Sequence, residues 1–482
     1  MRVTWAHTRA GGTALAVLLA ACGGSSQNDM PAGPAPVITL TAPAAFATGL
    51  TGTLAVTATA ADPAAPSAAI SGVEFQLDGV ALGTADTVAP YATSVDTTPY
   101  PAGQHVVRAR ARDAAGNASA WATVTVQFGG TRTQPAGFTR DEAWVTGLTG
   151  ATAFAETPDG RLFVAEQGGA LRVVKNGALL ATPFVSLTVD SSGERGLIGV
   201  ALDPAFAVNG FAYVHHTVAS GGAHNRISRF TANGDVAAPG SERVLVELPA
   251  LSAATNHNGG ALHFGLDGKL YVGVGENATP SRSQDLADPF GKLLRFNADG
   301  SIPPDNPFYA SQSGVARAIW AYGLRNPFTF AVQPVTGRIH INDVGNVTWE
   351  EVNVGQAGAN YGWPGSEGPG NVTAGITGPL FTYKHSAAVP AGSGPGGFFT
   401  GFAIAGGAFY PDSGPFPAAY RGQYYFADFA SRFVARLDLA DGNDHAAYAF
   451  ATLSDAPVDM LVGGDGALYV LTRSGITRIS AP

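Results

Sequence analysis

Cysteine is almost absent from the sequence, because Cys22 is the only one in 482 residues. A single thiol cannot form an internal disulfide, so the chain has to fold without one. Charge is also sparse: charged residues make up 13% of the chain and the formal net charge is −9. Lys and Arg form no cluster that could neutralise a row of phosphates, so nucleic acid is not expected as a partner.

The apolar run near the start is too short to span a bilayer. It extends from Ala14 to Ala21 behind Arg2, His7 and Arg9, and it has the length of a signal-peptide core. The run ends in Leu-Ala-Ala-Cys-Gly at Cys22, which resembles the bacterial lipobox. That resemblance implies an acylated Cys22, against the alternative of an unmodified cysteine in a cleaved or exported chain. We therefore predict a lipoprotein signal peptide at 1–22 and an exported protein. Its only membrane contact is a lipid anchor to the cell envelope, on the periplasmic side or the cell surface.

Glycine and proline are abundant, with 63 and 32 residues. Together with the low charge, this composition favours short strands joined by tight turns over helices. A chain of this length is also too long for one ordinary core, so two or three domains are expected. The composition therefore predicts an all-β protein of more than one domain.

The first ordered region is predicted to be a β-sandwich at 37–128, between a flexible tether at 23–36 and a linker at 129–137. Its clearest strand is HVVRARARD, where Val107, Ala109 and Ala111 alternate with three arginines. This alternation predicts one packed face and one solvated face. The segments around Phe75 and Asp113 resemble bacterial immunoglobulin-like modules of secreted enzymes. The resemblance implies a spacer or a weak carbohydrate-binding role.

A degenerate unit recurs from Phe138 onward, made of a Gly-containing turn followed by a strand of apolar residues. Its six copies begin at Asp159, Asn209, Asp267, Thr336, Arg421 and Asp465. The Asp-Gly or Asn-Gly pair suits a turn with positive φ, and the strand after it is expected to be buried near a central axis. We predict a six-bladed β-propeller at 138–482, preceded by the immunoglobulin-like β-sandwich.

Three short motifs contain residues suited to chemistry. In Asn256-His257-Asn258-Gly259-Gly260, glycines beside an imidazole let the backbone approach a ligand, and a neutral His257 can take a proton from a hydroxyl. A structural loop histidine is the alternative. In Tyr322-Gly323-Leu324-Arg325-Asn326-Pro327, a guanidinium and an amide are suited to an anionic or carbonyl-rich ligand. A surface arginine in a blade-closing loop is the alternative. The aromatics of Asn360-Tyr361-Gly362-Trp363-Pro364 are expected either to line a mouth or to cap a blade.

Together with these motifs, the segments beginning at Gly193, Gly291, Trp349 and Gly406 occur in an order that resembles the soluble pyrroloquinoline-quinone-dependent aldose and sorbosone dehydrogenases. The resemblance covers about 138–479. It implies a small sugar substrate, an electron acceptor that remains unknown, and the cofactors pyrroloquinoline quinone (PQQ) and Ca²⁺.

The same resemblance implies roles for individual residues. His257 would be the general base, and hydride would pass from the sugar carbon to PQQ. Arg325 and Asn326 would bind the quinone carbonyls, with Arg325 stabilising developing charge, and Glu194 would contact cofactor and substrate. Main-chain oxygens near Gly345 and Asn346 would bind Ca²⁺.

The sequence departs from the family at two places. The stretch 454–459 holds no arginine where glucose-oxidising members bind cofactor carboxylates, which leaves Arg432 as the candidate cation, and Val344 stands where a polar contact is common. Two other functions therefore stay open. One is a non-catalytic carbohydrate- or protein-binding surface propeller that has lost the cofactor, and the other is a calcium-dependent lactonase-like propeller.

Overall fold

The structure, a computed structural model, describes residues 34–63, 70–385, 400–439 and 445–482. Cys22, the predicted signal peptide and most of the predicted tether lie outside these residues. Nearly all the regular structure is β-strand. Within the described residues there are one short α-helix, α1, and four 3₁₀ turns, at Phe206–Asn209, Pro280–Gln284, Gly314–Ala318, Pro369–Asn371 and Ala418–Tyr420. No helix of the described residues is long and apolar enough to cross a membrane.

The N-terminal strands form two antiparallel sheets that face each other across one core. Strands β1 to β7 are Val37–Ala42, Thr53–Ala61, Ile70–Leu77, Val80–Ala81, Tyr91–Asp96, Gly103–Asp113 and Ala122–Phe128. One sheet has the order β1-β2-β5 and the other β4-β3-β6-β7. Val56, Phe75 and Val107 are among the side chains buried between them. We refer to this part of the chain as the sandwich.

The alternation predicted for HVVRARARD is correct on one face and wrong at one position on the other. Val107, Ala109 and Ala111 are fully buried, as expected, but Arg108 is only 2% exposed. Its guanidinium lies 4.6 Å from the ring centre of Trp121 and 5.8 Å from that of Tyr448. The face is not solvated at Arg108 because a later part of the chain packs against it.

The remaining strands form six antiparallel sheets within the described residues, numbered here in chain order. Strand β8, Thr139–Thr146, comes before them in the chain. The first sheet contains β9 to β13, at Ala151–Glu156, Leu162–Glu166, Ala170–Lys175, Ala178–Leu179 and Val185–Ser186. The second contains β14 to β18, at Leu197–Leu202, Phe211–Val218, His224–Asn233, Val236–Ala237 and Arg243–Ala250. The third contains β19 to β22, at Leu262–Phe264, Leu270–Val274, Lys292–Phe296 and Ile319–Tyr322.

The fourth to sixth sheets follow the same pattern. The fourth contains β23 to β26, at Pro327–Val332, Ile339–Asp343, Trp349–Val354 and Phe381–Lys384. The fifth contains β27 to β30, at Ile404–Phe409, Tyr424–Asp428, Phe433–Leu437 and Ala447–Thr452. The sixth contains β31 to β33, at Pro457–Val462, Leu468–Thr472 and Gly475–Ser480, and is completed by β8, which pairs with β33.

The six sheets form a closed ring. The first strand of each sheet contacts the first strand of the next, and β31 of the sixth sheet contacts β9 of the first. Apolar clusters fill the space between each neighbouring pair of sheets. Because β8 comes from the start of this region and pairs with the end of the chain, main-chain hydrogen bonds close the ring.

The repeated apolar strands lie one position further out than the sequence predicted. The copies at Asp159 and Asp267 lead into β10 and β20, which are the second strands of their sheets. The innermost strands, β9 and β19, precede the turns. The second strand of each sheet has a hydrogen-bonded strand on each side and a neighbouring sheet against each face. Its sequence is therefore a continuous run of apolar residues. The turn itself follows the prediction, because Gly160 and Gly268 have φ of +80° and +69°.

The sandwich packs against the fifth sheet through buried polar groups. Arg436 of β29 is 1% exposed and donates to the main-chain oxygen of Asp78 in the sandwich. His105 lies behind it, with Nδ1 2.6 Å from Asp78 Oδ2. Tyr448 of β30 is also 1% exposed and packs with Val106 of the sandwich. These contacts fix the orientation of the sandwich relative to the ring.

Candidate functional site

A cavity of about 270 Å³ lies where several innermost strands of the ring begin. Its walls combine apolar residues with a few polar ones. The lining residues are Thr152, Gln167, Gly193, Glu194, Ile198, Asn326, Phe328, Val344, Ala403, Ile404, Ala405, Phe429, Val458 and Arg473. A concave apolar site with a few convergent polar groups is typical of a small-molecule binding site.

His257 is held by a buried carboxylate. Its Nδ1 lies 2.6 Å from Oε1 of Glu276, a residue that is 1% exposed. The other oxygen of Glu276 accepts the main-chain N–H of Thr279. An ionised carboxylate only accepts hydrogen bonds, so Nδ1 carries the proton and the lone pair of the imidazole is at Nε2. Nε2 makes no hydrogen bond to the part of the chain that the structure describes.

Glu194 and His257 belong to loops that lead into the neighbouring strands β14 and β19. The main-chain N–H of His257 donates to Glu194 Oε2 at 2.7 Å, and Glu194 lines the cavity. His257 itself has a φ of +56°, which a non-glycine residue rarely adopts. The carboxylate of Glu194 therefore links His257 to the cavity and helps to keep its backbone in this conformation.

The motifs around His257 and Arg325 meet in the structure. Gly259 donates its N–H to Asn326 Oδ1 at 3.0 Å, and Glu276 donates its N–H to the main-chain oxygen of Arg325 at 2.9 Å. A Cβ on Gly275 would lie 2.3 Å from the oxygen of His257 and 2.7 Å from Asn326 Oδ1. Glycine at 275 therefore permits the close approach of the two loops.

Asp343, at the end of β24, holds the main chain of the Arg325 motif. Its carboxyl group accepts the N–H of Arg325 at 2.9 Å and that of Asn326 at 2.7 Å. Burial and the charge of Glu351 raise the pKa of Asp343 to about 8, although the two N–H groups act in the opposite direction. The buried carboxyl group of Asp343 therefore fixes the backbone at Arg325 and Asn326, and with it the direction in which their side chains project.

The side chain of Arg325 is only partly satisfied. Nη1 donates to the main-chain oxygen of Val344 at 3.0 Å, and the guanidinium lies 5.6 Å from the ring centre of Trp363. The Nε atom is buried without a hydrogen-bond partner in the described residues. Trp363 and Tyr361 are themselves buried. Trp363 packs against the guanidinium of Arg325, and Tyr361 lies in the apolar cluster that contains Leu324.

The sequence predicted Arg432 as the cation in place of the missing arginines. The Arg432 side chain is exposed and donates to the main-chain oxygen of Ser454, and it does not line the cavity. Arg473 does line the cavity. The sequence did not point to Arg473, because it follows β32, outside the stretch 454–459 where the family resemblance places cofactor-binding cations.

Gly345 and Asn346 begin a tight turn supported by two carboxylates. Gly345 N–H donates to Glu350 Oε2, and Asn346 N–H donates to Glu367 Oε1. Burial alone would raise the pKa of Glu367, but four consecutive main-chain N–H groups bring it below its usual value. The turn is therefore next to two acidic side chains. No group of three His, Cys, Asp or Glu side chains suited to a metal occurs within the described residues.

Glu276 and Asp343 also escaped the sequence interpretation. Both lie just after or at the end of the second strand of a sheet, in the segments GVGE and HIND. An acidic residue at the end of a buried apolar strand was a usable signal, because such a charge needs a partner nearby. What it could not reveal was that the partners are His257 and the Arg325 loop.

Two protein-family models match parts of this chain. The sequence model of the glucose/sorbosone dehydrogenase family matches residues 148–480, more than half of the chain. The chain belongs to the glucose/sorbosone dehydrogenase family. A second match, to a bacterial Ig domain, covers residues 36–109, which include β1 to β5 of the sandwich.

Relatives within the glucose/sorbosone dehydrogenase family include aldose sugar dehydrogenases. The aldose sugar dehydrogenase YliI of Escherichia coli is 31% identical over 340 residues, which is 66% of this chain and 86% of that protein. The solved apo-form of the soluble aldose sugar dehydrogenase from Escherichia coli is 27% identical, with a TM-score of 0.61 over 72% of this chain and all of that one. The PQQ-bound aldose sugar dehydrogenase of Streptomyces coelicolor is 26% identical, with a TM-score of 0.58 over 72% of this chain and all of that one.

Proposed function

We propose that this chain is a quinone-dependent dehydrogenase that oxidises a hydroxyl group of an aldose-type sugar, with His257 as the general base. The observation that carries the proposal is the pair formed by His257 and the buried Glu276, next to a cavity that Glu194 and Asn326 line. Family membership and the PQQ-bound relative support the same chemistry.

The residues around the cavity fit a flat, anionic quinone. The volume of about 270 Å³ is close to the lower end of ligand pockets, roughly 300–1,000 Å³. Phe328 and Phe429 supply apolar walls for a ring system. The buried Nε of Arg325, without a partner in the described residues, is a donor suited to a carbonyl oxygen. Arg325 and Asn326 would therefore hold the quinone carbonyls.

The chain's own residues provide the proton transfer. Nε2 of His257 takes the proton of the sugar hydroxyl, and the carboxylate of Glu276 stabilises the imidazolium that results. When bound, PQQ supplies the acceptor for the hydride that leaves the sugar carbon. Arg325 places a positive charge beside the cavity, where it would stabilise negative charge that develops during the reaction.

A calcium ion at the Gly345–Asn346 turn forms part of the proposal. Ca²⁺ prefers oxygen ligands, and main-chain oxygens of this turn would supply them. Glu350 and Glu367 hold the N–H groups of the turn, so two carboxylates lie close enough to favour a cation. Arg432 stays the candidate that the sequence offers for a cofactor carboxylate, and its Nη1 donates to the main-chain oxygen of Ser454.

The cellular part of the proposal rests on the sequence. The lipobox-like segment at Cys22 supports export and a lipid anchor. The closed ring of six four- or five-stranded sheets supports a six-bladed propeller, with one sheet for each blade.

Reconstitution tests the chemistry directly. Purified protein is titrated with PQQ in the presence and absence of Ca²⁺, and reduction of an artificial dye is followed with a panel of aldoses. We expect micromolar or tighter binding that requires Ca²⁺, and sugar-dependent dye reduction. His257→Ala should reduce kcat by about 10²–10⁴-fold while PQQ affinity is retained.

A surface pair of the same residue types provides the control. His224 Nε2 lies 2.7 Å from Glu247 Oε2, remote in sequence from the cavity-lining loops. His224→Ala should keep full activity. No PQQ binding at micromolar concentration, or undiminished activity in His257→Ala, would contradict the proposed function.

A further inference from the structure

Among the described residues that line the cavity, Arg473 is the only Arg or Lys. It follows β32 of the sixth sheet. Its guanidinium donates two hydrogen bonds, one to a strand of the first sheet and one to the loop after β10. Nη1 donates to the main-chain oxygen of Ala151 at 3.0 Å, and Nη2 donates to Gln167 Oε1 at 2.6 Å. The side chain therefore lies across the seam where the ring closes, with a fixed direction.

The positive charge of Arg473 has no close counter-ion. No carboxylate oxygen of the described residues is recorded within 4.0 Å of its guanidinium, and Asp455 acts on it only at longer range. Burial lowers the pKa of the Arg473 side chain, although it stays charged at physiological pH. Both oxygen atoms that accept its hydrogen bonds belong to uncharged groups. A partly buried cation with neutral partners is costly unless an anion completes the site.

The surroundings leave room for this guanidinium. Gly150 has a φ of +63°, and a Cβ there would lie 3.1 Å from Arg473 Nη2. Gln167, which accepts from Arg473, uses its Nε2 to donate to the main-chain oxygens of Gly193 and Arg195. Those residues flank Glu194. The position of Arg473 is thus linked by hydrogen bonds to the loop that also contacts His257.

Within the part of the chain that the structure describes, the facing walls of the cavity contribute no other cation. The fifth and sixth sheets present Ala403, Phe429 and Val458 to it, and the stretch 454–459 contains no Arg or Lys. We propose that Arg473 binds a carboxylate of the bound quinone, and so supplies from the turn after β32 the cation that is missing at 454–459. This inference rests on the proposed function, because it takes the ligand to be a quinone with carboxylate groups. A guanidinium matches a carboxylate in geometry as well as in charge.

Equilibrium binding tests the inference without any measurement of activity. The wild-type protein, Arg473→Gln and Arg473→Lys are titrated with PQQ in the presence of Ca²⁺, and Kd is obtained from calorimetry or from quenching of tryptophan fluorescence. We expect Kd to rise at least about 10-fold in Arg473→Gln, with a smaller rise in Arg473→Lys, since lysine keeps the charge but not the planar fork. Thermal unfolding of each variant checks that the fold is retained.

Two comparisons separate charge from packing. Arg478→Gln changes the same residue type in the same sheet, but Arg478 pairs with Asp465 and does not line the cavity, so Kd should stay at the wild-type value. The trimethyl ester of PQQ lacks the carboxylate charges, so wild type and Arg473→Gln should bind it with similar Kd. If Arg473→Gln fails to fold, Arg473→Lys takes its place in the comparison of the Kd for PQQ with the Kd for the ester.

The outcomes distinguish this inference from the proposed function. If wild type and Arg473→Gln bind PQQ equally well, the inference is wrong and the proposed function stands. An equal loss of PQQ and of its ester in Arg473→Gln would also overturn it, because the effect would then come from packing. If the wild-type protein binds no PQQ, the proposed function fails and this inference fails with it.

Discussion

Nδ1 of His257 lies 2.6 Å from the buried carboxylate of Glu276, and this contact joins a loop to the end of the neighbouring strand. The carboxylate selects one tautomer of the imidazole and leaves Nε2 available as a base. Since His257 has an unfavourable φ of +56°, it depends on such neighbours to keep its orientation.

Glu276→Gln is expected to reduce kcat by about 10²–10⁴-fold, because a neutral amide neither fixes the tautomer nor stabilises the imidazolium. The Kd for PQQ should change little. Steady-state dye reduction and a PQQ titration measure the two effects separately. Glu247→Gln changes the exposed partner of His224 and should leave both constants unchanged. Normal kcat in Glu276→Gln would show that this pair is structural only.

Gly275→Ala is expected to displace His257. The new Cβ would meet the His257 oxygen at 2.3 Å and Asn326 Oδ1 at 2.7 Å, so the two loops would have to separate. We expect a loss of about 1–3 kcal/mol in the free energy of unfolding and a lower kcat. Chemical denaturation and dye reduction measure these changes. Gly168→Ala, where a Cβ meets nothing within 4 Å, is the matched control and should change neither by much.

The stability of the protein should depend on the protonation of Asp459. Burial raises the pKa of this carboxyl from 3.8 to about 7, against the effect of N–H groups from Phe154 and Met460. Its contribution to stability is therefore fully present below about pH 3.8 and is lost as the pH rises through about 7. The loss has a slope of up to about 1.4 kcal/mol per pH unit. In Asp459→Asn this part of the pH dependence should disappear when denaturation is measured between pH 4 and 8. An unchanged profile would mean that Asp459 is ionised throughout.

Arg436→Ala is expected to destabilise the protein by about 3 kcal/mol or more. The change removes a fully buried side chain and leaves main-chain acceptors of Asp78 and Ala419 without their donor. It should also separate the unfolding of the sandwich from that of the ring. Differential scanning calorimetry resolves two transitions if the sandwich and the ring unfold separately. Arg243→Ala, at an exposed position, should stay within about 0.5 kcal/mol of wild type. Coincident transitions in Arg436→Ala would argue against coupling through this residue.

The sequence by itself determined the local features of this protein. Turn glycines such as Gly160 and Gly268 have the positive φ that the Asp-Gly pairs predicted, because the lack of a Cβ is a local property. The absence of disulfides and the nearly all-β composition followed from counts alone. The motifs at His257 and Arg325 were selected from residue type and flanking glycine or proline, and the structure brings them together through Asn326 and Glu276.

Only the tertiary structure decided which partners these residues have. Arg473 meets Gln167 from 306 positions away, and Arg108 is buried because Tyr448 packs near it. In a closed ring, residues at opposite ends of the chain become neighbours, and no local periodicity records that pairing. The sequence also could not show that the repeated apolar strands are second in their sheets. A buried strand has the same apolar sequence whether it lines the axis or lies one position further out.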